Sequence, residues 1–264
     1  MITSLSDAAD LGTVLGVWAH PDDEAYLSAG LMAAARDAGC RVVCVTATPG
    51  EQGTADPVAW PPDLLAAERT RELARCLSVL GVTEHVWLGY RDGSCAGVPP
   101  EEPVSRICAL LEEVAPDTVL TFGPDGFTGH PDHRAVARWV AAAVDRAAPA
   151  RTRLLQAAFP ERRVARWGAL DAELGVHLPG YPVTVPDGRL AVDVALDRAQ
   201  TARKVRALRA QETQTAGLVA ALGEELYGRW VAEEAFAERP RRSRAGEGRV
   251  DRRPGEVQDG VAAR

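Results

Sequence analysis

Apolar residues fall along the chain in short unbroken runs, separated by longer stretches in which they recur every three or four positions. The runs at 14–19, 41–48, 85–88 and 118–122 (VLGVWA, RVVCVTAT, HVWL and TVLTF) have strand length and strand composition. Between and after them the period lengthens, and helices are predicted over 24–38, 64–80, 104–114 and 131–147. Gly39 and Gly81 stand just past the first two, where a glycine can take the left-handed conformation that ends a helix. Later runs at 154–159 and 190–194 read as strands, and 196–222 reads as one long helix. Apolar strands alternating with amphipathic helices imply crossover units. The expected fold is therefore α/β, a Rossmann-like three-layer arrangement with a mostly parallel sheet flanked by helices.

The rhythm stops at Arg239. From there to Arg264 no apolar side chain is larger than valine, so the reading is a folded domain over 1–238 and a basic disordered tail over 239–264. A length of 264 residues suits one large α/β domain, and 46% hydrophobic with 25% charged residues excludes a mostly disordered chain. The net charge of −7 divides unevenly: eight arginines and four acids give the tail +4, which leaves −11 for the body. That field disfavours nucleic acid as a partner. No run approaches the roughly 20 apolar residues of a membrane span, and no basic residue precedes the first apolar run as it would in a secretory signal. A cytoplasmic protein without a membrane partner is expected. The five cysteines, at 40, 44, 76, 95 and 108, form an odd set without a C-x-x-C pair, which disfavours disulfides and a thiolate zinc site alike. They read as reduced, mostly buried small residues.

The chemistry lies in two polar clusters. Ala19-His20-Pro21-Asp22-Asp23-Glu24 continues directly from the first strand, and Gly129-His130-Pro131-Asp132-His133 follows 118–122 through a glycine-rich loop. Open parallel sheets place ligands at these carboxyl ends of strands. Within each cluster the key groups stand at i and i+3, facing the same way on an opening helical turn, and a proline is well tolerated in that first turn. Two imidazoles and a carboxylate meeting there suit zinc or a similar divalent ion. Three protein ligands with an open fourth position belong to catalytic sites, not structural ones. A single His-Pro-Asp is a common turn, and it is the pair that points to chemistry. His85 and His177 lack acidic neighbours in a matching pattern and read as structural.

At these residues the chain resembles the PIG-L/LmbE-like family of zinc-dependent N-acetylglucosaminyl deacetylases, whose two signatures match AHPDDE and GHPDH, in order and about 110 residues apart. Weaker family-like text lies between them, at Thr48 to Gly53, at Arg69 with Glu72, and at Leu88 to Gly93, and the resemblance covers roughly residues 13–235. It implies His20, Asp23 and His133 as metal ligands and Asp22 as the general base for the attacking water. It implies His130 as the group that stabilises the tetrahedral oxyanion or protonates the leaving amine, and Asp132 as the residue that orients a ligand histidine. Arg69 by this resemblance reaches substrate hydroxyls, whereas its spacing from Glu72 alone allows an ordinary surface ion pair. Asp92 either hydrogen-bonds a sugar hydroxyl or forms its turn, and Glu51 either caps its loop or shapes the pocket. Trp60, in a proline-rich loop, either stacks on a sugar face or packs against the protein.

Two positions depart from the family pattern. Thr128 stands where some members have a tyrosine, which removes a phenolic donor. Gln211-Glu212-Thr213-Gln214 replaces a late His-x-Ser-Gln. The resemblance implies a metal-dependent hydrolase of linear amides, removing an N-acyl group, most simply acetyl, from an amino sugar or its conjugate. A metal amidase acting on a non-sugar amide, such as a thiol conjugate or natural-product intermediate, fits the same residues. A catalytically silent sugar-binding module fits less well, because Asp22 is retained beside a complete ligand set.

Overall fold

The computed structural model describes residues 1–240. Its first half alternates strictly: β1 (Val14–Trp18), α1 (Asp23–Asp37), β2 (Val42–Thr46), α2 (Pro62–Leu80), β3 (Glu84–Trp87), α3 (Glu101–Val114), β4 (Thr118–Phe122), α4 (Pro131–Ala147) and β5 (Arg153–Ala157). Every residue of β1, β2 and β4 is buried. That is why these strands read as continuous apolar runs: helices cover both faces of a parallel sheet, so neither face needs polar side chains. Gly39 and Gly81 take positive φ values of 84° and 77° just beyond α1 and α2, as the sequence predicts.

The second half adds β6 (Phe159–Pro160), α5 (Glu161–Glu173), β7 (Thr184–Val185), β8 (Leu190–Ala195), α6 (Arg198–Arg209), α7 (Glu212–Val231) and β9 (Glu233–Glu238). The main sheet runs β3-β2-β1-β4-β5-β9-β8, while β6 and β7 form a separate pair. It is parallel from β3 through β5, with Val14 level with both Val42 and Thr118, and antiparallel where β9 lies between β5 and β8. α3 packs against α4, and α1 packs against α2 and α6.

The reading of 196–222 needs correction on two counts. The single helix expected over 196–222 is two helices, because Asp197 and Gln200 form a capping box that starts α6 and the chain breaks again at 210–211. α7 then runs on to Val231 across a kink at Gly223, whose φ is 72°. Arg239, just past the expected domain boundary at 238, contacts the folded body. The Arg239 guanidinium donates to both carboxylate oxygens of Asp145 at 2.8 and 2.7 Å, and its backbone N–H donates to the Leu154 carbonyl at 2.9 Å. The rest of the expected tail, 241–264, lies outside the described residues. Among the described residues no helix is long and apolar enough to cross a membrane.

Candidate metal centre

β1 and β4 are neighbours at the middle of the sheet. From β1 the chain steps outward to β2 and β3, and from β4 it steps the other way to β5, so their carboxyl ends flank the point where strand order reverses. Both polar clusters leave the sheet there. The first turns sharply: Asp22 has φ 109°, an uncommon conformation for a non-glycine residue that costs about 1–3 kcal/mol. It is held by its N–H donating to Glu24 Oε2 at 3.0 Å and by its carbonyl accepting from Ala25 and Tyr26 at 3.0 and 2.9 Å. The second cluster reaches α4 with His130 as the N-cap and Pro131 in the first turn, and His130 Nδ1 accepts from the Asp132 N–H at 3.3 Å.

These turns bring together side chains that are 113 positions apart. His20 Nδ1 lies 3.1 Å from His133 Nε2, His133 Nε2 lies 3.3 Å from Asp23 Oδ1, and Asp23 Oδ2 lies 3.6 Å from His20 Nδ1. Ligands about 2.0–2.1 Å from a tetrahedral zinc stand about 3.3 Å apart, which the His20–His133 and His133–Asp23 Oδ1 edges match, while the third edge runs to the other Asp23 oxygen. All three residues are buried. His130 completes a wider group with His20 and His133, their nitrogens within 4.8 Å of one another.

Each imidazole is fixed from behind. His133 Nδ1 donates to the Gly126 carbonyl at 3.0 Å, which leaves Nε2 facing the triangle. His20 Nε2 faces Asp92 Oδ1 at 3.0 Å and Asp132 Oδ2 at 3.4 Å, which leaves Nδ1 free. Carboxylates or carbonyls behind ligand histidines set tautomer and orientation in metal sites. His20, Asp92 and Asp132 themselves form a second group of possible ligands. Their oxygens are already engaged: Asp132 accepts from the N–H groups of Gly93 at 2.8 Å and Cys95 at 3.0 Å, and Asp92 Oδ2 accepts from Gln52 at 3.0 Å. The triangle is the better candidate, since Asp23 and His133 line an open cavity.

The electrostatics favour a cation. Burial pulls the His20 ring down, but the hydrogen bonds to Asp132 and Asp92 and the charge of Asp23 outweigh it and raise it to about 10. Burial lowers His133 to about 4 against the opposing pull of Asp23. The two rings therefore share their 3.1 Å edge through one proton or through one cation. Burial alone would raise Asp92 and Asp132, yet the His20 ring holds both below the usual carboxylate range. Asp22 rises to about 8, chiefly by desolvation, with Arg69 opposing and Asp23 and Glu24 reinforcing. Burial also lowers His130, helped by the charge of His20.

Arg69, Asp92 and Glu51, the candidate substrate contacts, make hydrogen bonds within the protein. Arg69 is 3% exposed in mid-helix and makes no surface pair with Glu72. Its guanidinium donates to the carbonyls of Gly50 and Pro21 and approaches Asp22 Oδ2 at 3.3 Å, so it braces the turn that carries Asp22. Glu72 instead accepts from the Thr213 N–H and hydroxyl at 2.7 and 2.6 Å, tying α2 to α7. Asp92 is buried behind His20, and Glu51 Oε1 accepts from the Asp92 N–H at 3.0 Å. Trp60 is half-buried in its loop and does not line the cavity. At the two departures, the Thr128 hydroxyl lies 3.3 Å from His133 Nδ1, and Gln211 donates to Glu24 Oε1 at 2.7 Å. Gly126, Gly93 and Cys95 act through backbone atoms, which no side-chain pattern reveals.

With this geometry in view, the model of the PIG-L family, described as GlcNAc-PI de-N-acetylase, matches residues 15–144. A 1D-myo-inositol 2-acetamido-2-deoxy-alpha-D-glucopyranoside deacetylase of Kineococcus radiotolerans is 35% identical, covering 76% of this chain and 68% of that protein. The protein of the same name from Saccharomonospora viridis is 34% identical over 76% of this chain and 84% of its own length. The fold is similar to that of N,N'-diacetylchitobiose deacetylase from Pyrococcus horikoshii, at a TM-score of 0.60 and 23% identity over 90% of this chain and 87% of that one.

Proposed function

The chain belongs to the PIG-L family, and from that premise we propose that it hydrolyses the N-acyl amide of an amino-sugar conjugate, using zinc or a similar divalent ion held by His20, Asp23 and His133. The observation that carries this reading is the triangle of 3.1, 3.3 and 3.6 Å edges with the Asp22 carboxylate beside it at the cavity wall. The relatives named as deacetylases of an acetamido-sugar inositol supply the substrate class.

When bound, the ion polarises the amide carbonyl and lowers the pKa of water, which together supply the electrophile and the nucleophile. The residues do the rest. Asp22 accepts the proton of the attacking water, and Arg69 keeps its carboxylate aimed by holding the Pro21 carbonyl and Oδ2. His130, its ring centroid 5.0 Å from those of both His20 and His133, stands where it can donate to the tetrahedral oxygen or to the departing nitrogen. Asp132 and Asp92 hold the His20 ring so that Nδ1 turns toward His133 and Asp23, and the Gly126 carbonyl does the same for His133 Nε2. The C–N bond breaks as the amine takes the proton, giving a carboxylate and a free amino sugar.

The substitution Asp22→Asn separates holding the ion from using it. The amide cannot accept a proton, so turnover on an N-acetylglucosamine conjugate should fall by about 10²- to 10⁴-fold. Metal content measured on the same preparation should match wild type. Half the activity retained, or the metal lost, would remove Asp22 from the role of base.

A further inference from the structure

A cavity of about 320 Å³ opens on the candidate centre, and its wall includes Asp22, Asp23 and His133. The stretch that matches the family, 15–144, supplies only this end. The far wall comes from the later part of the chain: Phe159 from β6, Leu174 and Val176 after α5, and Leu218, Trp230 and Val231 from α7. An acetyl group needs almost none of this space, and sugar hydroxyls would find few partners against it.

The polar residues at the wall are largely committed to one another. Tyr26 pairs with the Tyr227 hydroxyl at 3.0 Å, and Glu234 takes Lys204 at 2.8 Å together with the N–H groups of Gly30 and Leu31. Gln214 donates to the Gly53 carbonyl at 3.0 Å. Arg163 donates to the Trp230 carbonyl at 3.1 Å and lays its guanidinium over Phe159 and Trp230. The exceptions are one Glu233 oxygen and the ring nitrogens of His177, the nearest of which is 3.9 Å from Asp171. What faces the space is mainly aromatic and aliphatic carbon.

Resting on the reading of the centre as an amide hydrolase, we propose that the acyl group it removes is an apolar chain longer than acetyl, seated in this cavity. The placement selects the acyl side of the amide. The cavity wall includes Asp22, Asp23 and His133, and the acyl chain is the only carbon substituent on the carbonyl carbon. An aglycone on C1 is separated from that carbon by the amide nitrogen, C2, C1 and the glycosidic oxygen. Hydrolysis consumes one water, breaks the amide C–N bond and releases a fatty carboxylate with a free amino sugar.

The test measures kcat/KM on N-acetyl-, N-butanoyl- and N-octanoyl-glucosamine and on octyl N-acetylglucosaminide, with octanoate and acetate binding followed by calorimetry. A buried methylene contributes about 0.8 kcal/mol, or about fourfold, so the octanoyl amide should exceed the acetyl amide by at least about a hundredfold. Val176→Trp fills the cavity from a half-buried loop position and should abolish that gain while leaving the acetyl rate within about twofold. Leu218→Trp does the same from α7 if the first variant misfolds. A flat or falling chain series overturns the proposal, and so does an octyl glycoside that gains as much as the octanoyl amide. If none of the sugars is hydrolysed, the amino-sugar reading fails and calorimetry still decides the cavity. Octanoate binding at least about tenfold tighter than acetate, and losing that margin in Val176→Trp, supports the chain site; equal affinities refute it.

Discussion

His20 joins two sets of acids through its two ring nitrogens. Nδ1 faces Asp23 and His133, while Nε2 faces Asp92 and Asp132. The sequence brings His20, Asp23 and His133 into view because their spacing and their place after strands are visible in one dimension. It leaves Asp92 open between a turn former and a sugar contact; Asp92 does lie in the turn closed by Ser94 N–H to the Arg91 carbonyl, and the fold also tucks its carboxylate against His20, which the sequence does not reveal. A carboxylate behind a ligand histidine typically contributes about 10- to 100-fold in metal affinity. Asp92→Ala should therefore weaken metal binding by that factor, read by competition with a fluorescent chelator, while all three ligands remain. Unchanged metal affinity with a raised KM would return Asp92 to contact with the sugar.

Among the elements, those that announce themselves are fully buried strands and helices with one apolar face. β1, β2 and β4 are in this class, as are α2 and α4, and the candidate centre is built where β1 turns into α1 and β4 leads into α4. The elements that stay hidden form the cavity's far wall. β9 reads Glu-Glu-Ala-Phe-Ala-Glu, with too little apolar content for a buried strand, yet it inserts between β5 and β8 because Glu234 is neutralised by Lys204. α5 is rich in arginine and contains Gly168, which masks its apolar face. The start of α6 has a local signal, in that Asp197 accepts from the Gln200 N–H at 2.8 Å and the Gln200 side chain accepts from the Asp197 N–H at 2.9 Å, whereas α7 begins at Gln211 without a side-chain cap. Replacing an N-cap aspartate by alanine costs about 0.5–2 kcal/mol. Asp197→Ala should accordingly lower Tm by a few degrees with kcat/KM unchanged. No shift in Tm would mean that packing alone fixes the start of α6.

The molecule as a whole divides its labour along the chain. The stretch shared with the family builds the centre at the point where strand order reverses, and the later segment builds the space beside it. Arg239, near the end of the described residues, is tied to α4 by a two-pronged pair with Asp145. The composition of 241–264 offers little apolar surface to offset the entropy of ordering it. A chain ending at Pro240 should match the full chain in Tm and in kcat/KM, and a Tm lowered by several degrees would show that this segment packs on the body. The central claim concerns the ion, and one observation reaches it without any substrate. Crystals of the full chain grown with zinc should give, at the zinc absorption edge, a single strong anomalous peak about 2.0–2.3 Å from His20 Nδ1, His133 Nε2 and an Asp23 oxygen. A peak at His20 Nε2 between Asp92 and Asp132, or no peak at all, would contradict the assignment of the centre.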